Sequence, residues 1–233
     1  MSAFPILYSF RRCPYAMRAR MALAVAAQTC ELREIVLRDK PVEMLAISPK
    51  GTVPVMQQPD GQVLEESLDV MLWALARQDP ESWLCPEEES LPAMLALIDA
   101  CERDFKAHLD RYKYASRYAD ADPAAERAAA AVFLHQLEAR LVGKDYLFGR
   151  RRSLADVALA PFVRQFANTD RAWFETQPWP GLAAWLDAFV SSALFTSVMV
   201  KLRPWRAGDC PALFFGAGNG APRASCQADH PLG

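Results

Sequence analysis

The stretch YSFRRCPYAMRAR, Tyr8 to Arg20, decides the fold, because it passes from a strand pattern to a helix pattern through a cysteine and a proline. The apolar run PILYSF predicts a short strand that ends at Ser9. Apolar residues then recur at helical spacing from Pro14 to Ala27. Proline suits a first helical turn, because it has no N–H group to leave unpaired. The pattern therefore predicts strand–Cys–Pro–helix, with Cys13 at or next to the helix N-cap.

This position predicts a reactive role for Cys13. Its sulfur would face unpaired backbone N–H groups and the positive end of the helix dipole. Arg11 and Arg12 add positive charge nearby, and each of these effects favours the thiolate, which is the nucleophilic form. The alternative is that Cys13 is a small buried apolar residue, which is the usual fate of a cysteine. The strand–Cys–Pro–helix context favours the reactive role.

Ala16 stands where a C-x-x-C redox motif would carry its second cysteine. A mixed disulfide on Cys13 must therefore be resolved by an outside thiol, which predicts a monothiol cycle with a small-thiol cosubstrate. The remaining cysteines have no such context, and we expect most of them to be thiols in a reducing cytosol. They are Cys30, Cys85, Cys101, Cys210 and Cys226.

Composition is ordinary for a soluble globular protein, and the small-molecule substrate that we predict follows from the monothiol chemistry of Cys13. The 233 residues are 52% hydrophobic and 23% charged, and the net charge of −2 gives no indication of a nucleic-acid or membrane partner. No apolar run reaches the ~18 residues that span a membrane, and no signal peptide is evident, so we predict a cytoplasmic location. His108, His135 and His230 lack ligands at metal spacing, which predicts no metal site.

The chain divides into two halves with different patterns. The first ~80 residues alternate strand and helix patterns in the order βαβαββα and end with a helix from Ser67 to Arg77. Only helical patterns follow: Leu91–Arg117, Pro123–Val142, Ser153–Asn168 with a capping box at Ser153 and Asp156, and Pro180–Met199. We predict an α/β domain at 1–78, an all-helical domain at 86–205 and an irregular extension at 206–233.

Two further motifs predict a binding site in the first domain. In SPKGTVPVM, Pro54 suits the first position of a strand, and a cis Val53–Pro54 bond would turn the Val53 backbone towards an extended ligand. In LEES, Ser67 is the predicted N-cap of the next helix, with Glu66 beside it. The functional alternative is a clamp for an α-amino acid, in which Ser67 and the helix N-terminus bind the carboxylate and Glu66 pairs with the ammonium.

These three stretches, in this order and spacing, resemble the first half of the cytosolic glutathione S-transferases. SLADVALAPF resembles the capping motif of their helical domain. The resemblance covers about residues 5 to 205, and the cysteine places the chain near the omega-like, cysteine-type members. It implies an α/β thioredoxin-like N-terminal domain, βαβαββα, followed by an all-α C-terminal domain. The extension from about residue 206 departs from the family pattern.

The resemblance also implies the ligands and the site. Cys13 would be the catalytic residue and form a mixed disulfide with glutathione, the cosubstrate. The glutathione-binding residues would be Lys40, Val53, Pro54, Glu66 and Ser67, although Lys40 has the alternative of a solvated surface lysine. Family members are commonly homodimers with an acceptor pocket between domains. Candidates for that pocket are Phe10, Tyr15, Tyr112, Lys113 and Tyr114. For the aromatic stripe that includes Tyr112 and Tyr114, a place in the core or an interface is the alternative.

The predicted function is that of a glutathione-dependent thiol transferase or reductase. The thiolate of Cys13 would attack a glutathionylated or oxidised substrate. Conjugation of glutathione to an electrophile is the enzymatic alternative, and a non-catalytic binding module on the same fold is the second.

Overall fold

The computed structural model describes residues 3–214 and residues 223–224 of the chain. The chain forms two compact units: one combines the residues up to Pro80 with the chain from Ala193 onwards, and the other is Glu81–Ser192. Sequence patterns predict that the helical domain ends at residue 205. In the structure it ends at Ser192, and residues 193–205 belong to the α/β unit.

The α/β unit has the predicted element order. It contains β1 (Ile6–Ser9), α1 (Pro14–Val25), β2 (Cys30–Glu34), α2 (Val42–Ile47), β3 (Val55–Gln57), β4 (Val63–Leu64) and α3 (Ser67–Arg77). Strand β1 runs parallel to β2 and antiparallel to β3, and β4 pairs antiparallel with β3. The parallel pair needs a crossover connection, which α1 supplies. The βαβαββα prediction is confirmed.

Helix α1 is the buried centre of this unit. Ten of its twelve residues are apolar, and they are spread around the whole helix. All but one of its residues are buried, because the helix contacts α3 and α10 as well as the rest of the unit. Even Arg18 and Arg20 are only 2% and 1% exposed. Buried cations need partners, and these are Ser67 for Arg18 and Glu34 for Arg20.

The C-terminal segment extends the sheet. Strand β5 (Ala212–Phe214) pairs antiparallel with β2, and β6 (Arg223–Ala224) pairs with β5, so the strand order is β4-β3-β1-β2-β5-β6. The prediction of an irregular extension at 206–233 is wrong for these two strands. The open edge of β2 offers unpaired N–H and C=O groups that an extended segment can pair with whatever its composition. Residues 215–222 and 225–233 of that extension lie outside the described residues.

The second unit is helical, as predicted. Its helices are α4 (Leu91–Ala100), α5 (Lys106–Lys113), α6 (Pro123–Leu141), α7 (Leu154–Ala167), α8 (Arg171–Glu175) and α9 (Pro180–Ser191). The single helix predicted over 91–117 includes a π-helical turn at Cys101–Phe105 and ends in a 3₁₀ turn at Ala115–Arg117. The helix predicted over 180–199 is also divided, because Ser192 is extended with ψ 144° and α10 (Ala193–Val198) belongs to the α/β unit.

The predicted capping box at the start of α7 is confirmed. One oxygen of Asp156 accepts hydrogen bonds from the backbone N–H (2.8 Å) and the hydroxyl (2.7 Å) of Ser153. The other oxygen accepts from the Leu147 N–H and the Trp185 indole N–H, both at 2.9 Å. Burial raises the pKa of Asp156 against the effect of these donors. This carboxylate therefore ties the start of α7 to the preceding loop and to α9.

Candidate functional site

Cys13 is the N-cap residue of α1, as predicted. Its backbone is extended, with φ −77° and ψ 124°, and Pro14 begins the helix. Its N–H donates to the Phe10 carbonyl at 2.9 Å, and its own carbonyl accepts from the Met17 N–H at 2.9 Å. The Cys13 side chain is partly exposed. The helix start therefore holds a solvent-accessible thiol where the N–H groups of the first turn and the helix dipole favour negative charge.

Val53 lies against this thiol. The Cys13 S–H donates to the Val53 carbonyl, with 3.6 Å between sulfur and oxygen. The Val53–Pro54 bond is cis, so that prediction is confirmed. Val53 belongs to a buried cluster with Tyr8, Ile35, Met44 and Val55, and both Cys13 and Phe10 pack against it. The core of the α/β unit thus fixes the sulfur beside the Val53 main chain.

The clamp residues at α3 differ from the prediction in one respect. Glu66 is the N-cap, with φ −101° and ψ 135°, and Ser67 is the first helical residue. The Ser67 hydroxyl accepts from Arg18 Nε at 2.9 Å, and Ser67 is 2% exposed. The prediction of Ser67 as N-cap is therefore wrong, because the buried guanidinium of Arg18 takes the hydroxyl as its acceptor. Ser67 is thereby joined to α1, the helix whose N-cap is Cys13.

Glu66 keeps an accessible carboxylate. Its side chain is 66% exposed, and it pairs with Lys50 Nζ at 2.5 Å. Lys40, the predicted glutathione-binding lysine, lies over the turn at Gly51. A methyl group placed on Gly51, which has φ +62°, would lie 3.4 Å from Lys40 Nζ. Because Gly51 is two residues before Val53, Lys40 places a cation next to the loop that leads to Val53.

A buried ion pair that the sequence analysis missed lies next to the residues that lead into Cys13. Glu34 accepts from the Arg11 N–H at 2.7 Å, and Arg20 Nη1 lies 3.5 Å from its other carboxylate oxygen. Burial lowers the pKa of Arg20 to about 10 and raises the pKa of Glu34. One feature of the sequence could have indicated this pair. Arg20 lies in the middle of the apolar α1 sequence, and a buried charge needs a buried partner.

The acceptor-pocket candidates fall in both units. Phe10 lines a cavity of about 780 Å³ in the α/β unit, and the Tyr15 ring centroid lies 5.0 Å from the Arg18 guanidinium. Within the helical unit, Tyr112 is buried and packs on Phe166 at 5.4 Å. Tyr114 lies in the same unit, at the end of α5. The packing of Tyr112 agrees with the core alternative for that residue.

Four cysteines, Cys13, Cys30, Cys85 and Cys101, are thiols, and Cys210 is disulfide-bonded. Across residues 3–214, no cluster of three or more His, Cys, Asp or Glu side chains is placed to hold a metal ion. In the same part of the chain, no helix combines the length and the hydropathy that a membrane span requires.

Comparison with known proteins identifies the family. Residues 7–83 match the glutathione S-transferase N-terminal domain, and residues 88–188 match its C-terminal domain. A probable glutathione transferase of Aplysia californica is 33% identical over 98 residues, which are 42% of this chain and 97% of that protein. Glutathione S-transferase omega-1 of Rattus norvegicus is 33% identical over 82 residues, 35% of this chain and 34% of its own length.

Solved structures share the fold. A glutathione transferase family member from Pseudomonas fluorescens, crystallised with two glutathione bound, has a TM-score of 0.72 at 17% identity and covers 84% of this chain and 92% of its own. Glutathione transferase Omega 3C of Trametes versicolor has a TM-score of 0.70 at 19% identity, with 88% of each chain covered. The two matched domains agree with the α/β and helical halves of the fold, and the chain belongs to the glutathione S-transferase family.

Proposed function

We propose that this protein is a glutathione-dependent thiol transferase or reductase that works through a mixed disulfide on Cys13. One observation carries the proposal: a partly exposed thiol stands at the N-cap position of α1 and donates to the Val53 carbonyl. The helix N-terminus and the neighbouring Arg11 and Arg12 favour its thiolate form. Sequence similarity to an omega-1 glutathione S-transferase supports the cysteine-type assignment.

We place the bound glutathione around this thiol. The cysteinyl unit of glutathione would pair with the main chain of Val53, beside Pro54. Its γ-glutamyl carboxylate would bind at the start of α3, where the Ser67 hydroxyl lies next to the buried Arg18 cation. Its ammonium would bind Glu66, whose exposed pair with Lys50 contributes at most about 1 kcal/mol and is readily exchanged. Lys40 would bind a glutathione carboxylate from the far side of the Gly51 turn.

The chemistry consists of two thiol–disulfide exchanges. The Cys13 thiolate attacks the glutathionyl sulfur of a mixed disulfide, the S–S bond breaks, and the substrate thiolate leaves and takes up a proton. Loss of the thiol proton frees the Val53 carbonyl, which can then accept from a glutathione N–H. A second glutathione thiolate attacks the new disulfide, releasing oxidised glutathione and the Cys13 thiolate. Ala16 makes this outside thiol necessary.

The test is a mass measurement of the adduct with oxidised glutathione. We expect one glutathionyl group on Cys13, none on that position in Cys13→Ser, and an unchanged adduct in Cys85→Ser, which removes an exposed thiol. Reduction of a glutathionylated peptide should fall by at least about 100-fold in Cys13→Ser. An adduct that maps to another cysteine, or full activity in Cys13→Ser, contradicts the proposal.

The conjugating alternative predicts a different result. If glutathione's own thiolate attacks an electrophile, Cys13 is not needed as nucleophile, and Cys13→Ser should keep its rate with 1-chloro-2,4-dinitrobenzene. A binding module should lack both activities. The homodimer that the family resemblance implies stays a prediction, and so does the cytoplasmic location that the sequence patterns indicate.

A further inference from the structure

A cavity of about 780 Å³ lies within the α/β unit, next to the residues that lead into Cys13. Three segments form its walls: the loop residues Phe10–Arg12 before α1, residues Glu34–Arg38 at and after the end of β2, and Lys201, Leu202 and Pro204 beyond α10. The volume is in the range of small-molecule sites, roughly 300–1,000 Å³.

The lining carries an excess of positive charge. Its basic residues are Arg11, Arg12, Arg38 and Lys201, and Glu34 is its one acidic residue. Glu34 already accepts from the Arg11 N–H and lies 3.5 Å from the buried Arg20, so its charge is compensated from inside the protein. Four cations against one carboxylate give the cavity a field that attracts anions.

The rest of the lining is apolar. Its members are Phe10, Ile35, Val36, Leu37, Leu202 and Pro204. Apolar walls with a few convergent charges are typical of sites for small organic ligands. The combination fits a molecule with an apolar or sulfur-containing body and an anionic end.

The C-terminal wall is held in place at both ends. The Arg11 guanidinium donates to the Met199 carbonyl at 3.2 Å, and the Trp205 N–H donates to the Glu34 carbonyl at 2.7 Å. The Trp205 ring lies 4.1 Å from the Arg33 guanidinium. The segment between Met199 and Trp205 is therefore tied to both of the other walls, and the cavity is a built feature of the unit.

We propose that this cavity binds a small carboxylate-bearing disulfide, the acceptor that exchanges with Cys13, and holds its anionic end with Arg12, Arg38 and Lys201. The inference rests on the proposed function and adds the charge of the substrate. With a disulfide as the ligand, the Cys13 thiolate attacks one sulfur, the S–S bond breaks, and a carboxylate-bearing thiolate leaves.

The experiment measures how fast the full chain, with saturating glutathione, reduces three small disulfides of similar length. They are 3,3′-dithiodipropionate, which is anionic, 2-hydroxyethyl disulfide, which is neutral, and cystamine, which is cationic. The test variant is the double substitution Arg38→Gln/Lys201→Gln. The control is Arg203→Gln, because Arg203 lies in the same segment but pairs with Asp209 and does not line the cavity.

We expect the wild type to prefer the anionic disulfide over the cationic one. The double variant should lose about tenfold in kcat/KM for the anionic disulfide and keep the wild-type KM for glutathione with the neutral one. A change in the KM for glutathione alone contradicts the proposal, because the cavity would then bind the cosubstrate and not the acceptor. Arg203→Gln should change neither.

Two outcomes separate this inference from the proposed function. If the double variant has the wild-type kcat/KM for all three disulfides and the wild-type KM for glutathione, the cavity proposal is overturned while the function of Cys13 stands. If the wild type reduces no disulfide, the proposed function fails, and the cavity is tested by calorimetry of 3,3′-dithiodipropionate binding to Cys13→Ser. Equal binding with and without the Arg38→Gln/Lys201→Gln change overturns it there as well.

Discussion

Glu34 and Arg20 are charged groups in the interior of the α/β unit. Burial is the largest cause of both pKa shifts, since it raises the pKa of Glu34 and lowers that of Arg20 to about 10. Their mutual attraction and the Arg11 N–H only partly offset the loss of hydration. Holding Glu34 ionised therefore costs folding free energy, and this cost makes the stability of the protein depend on pH.

Glu34→Gln should remove this contribution to the pH dependence of the free energy of unfolding. Because the folded state raises the pKa of Glu34, its contribution to stability is present below the unfolded value, about 4.5, and is lost as pH rises through the folded pKa. Urea unfolding from pH 4 to pH 8 should show a decline in the wild type that is weaker in Glu34→Gln.

Glu126→Gln serves as the contrast. A hydrogen bond from Arg111 lowers the pKa of Glu126, so this group adds stability above the unfolded pKa that is lost as pH falls through the folded one. The two variants should thus change the pH profile in opposite directions. A steeper decline in Glu34→Gln than in the wild type contradicts the assignment of the buried charge.

The cysteines should differ sharply in reactivity. Burial raises the pKa of Cys30 to about 12, so it stays a buried thiol at pH 7.5, whereas Cys13 is partly exposed at a helix N-terminus. With iodoacetamide, we expect peptide mapping to show Cys13 alkylated first, exposed Cys85 more slowly, and Cys30 only after unfolding in urea. Native labelling of Cys30 at the rate of Cys85 would refute this order.

At the scale of elements, local patterns identify some helix starts and miss those that depend on distant side chains. The strand–Cys–Pro–helix start of α1 and the capping box of α7 follow from neighbouring residues, and sequence analysis predicted both. The start of α3 depends on Arg18, forty-nine positions before Ser67, which takes the serine hydroxyl as its acceptor. The Glu34–Arg20 pair and the cationic cavity likewise join residues through space, so spacing alone could not predict them.

Asp156→Ala should be strongly destabilising. Four hydrogen bonds converge on this buried carboxylate, and its removal leaves the indole N–H of Trp185 and the N–H of Leu147 without their acceptor. We expect a loss of about 4 kcal/mol in the free energy of unfolding by urea. Asp122→Ala is the matched control, because Asp122 is exposed and its side chain caps α6 through a single bond from the Ala124 N–H; its loss should cost about 1 kcal/mol. Equal losses would show that burial is not the cause.

At the scale of the whole molecule, the α/β unit is completed by residues far along the chain. The Met199 carbonyl binds Arg11, Trp205 binds the end of β2, and β5 pairs with β2. These contacts also supply the third wall of the cavity. The C-terminal segment therefore completes the α/β unit, although the sequence patterns assign the residues up to 205 to the helical domain and 206–233 to an irregular extension.

Phe214→Ala tests how far β2 depends on this segment. Phe214 is 2% exposed, pairs in register with Cys30, and places its ring 5.8 Å from the Arg20 guanidinium. Its truncation should cost about 3 kcal/mol in the free energy of unfolding and give iodoacetamide access to Cys30 in the native protein. Leu213→Ala, on the half-buried face of the same strand, should cost about 1 kcal/mol and leave Cys30 unlabelled. If Phe214→Ala keeps Cys30 unreactive and the stability of the wild type, β5 is not the cover of this sheet edge.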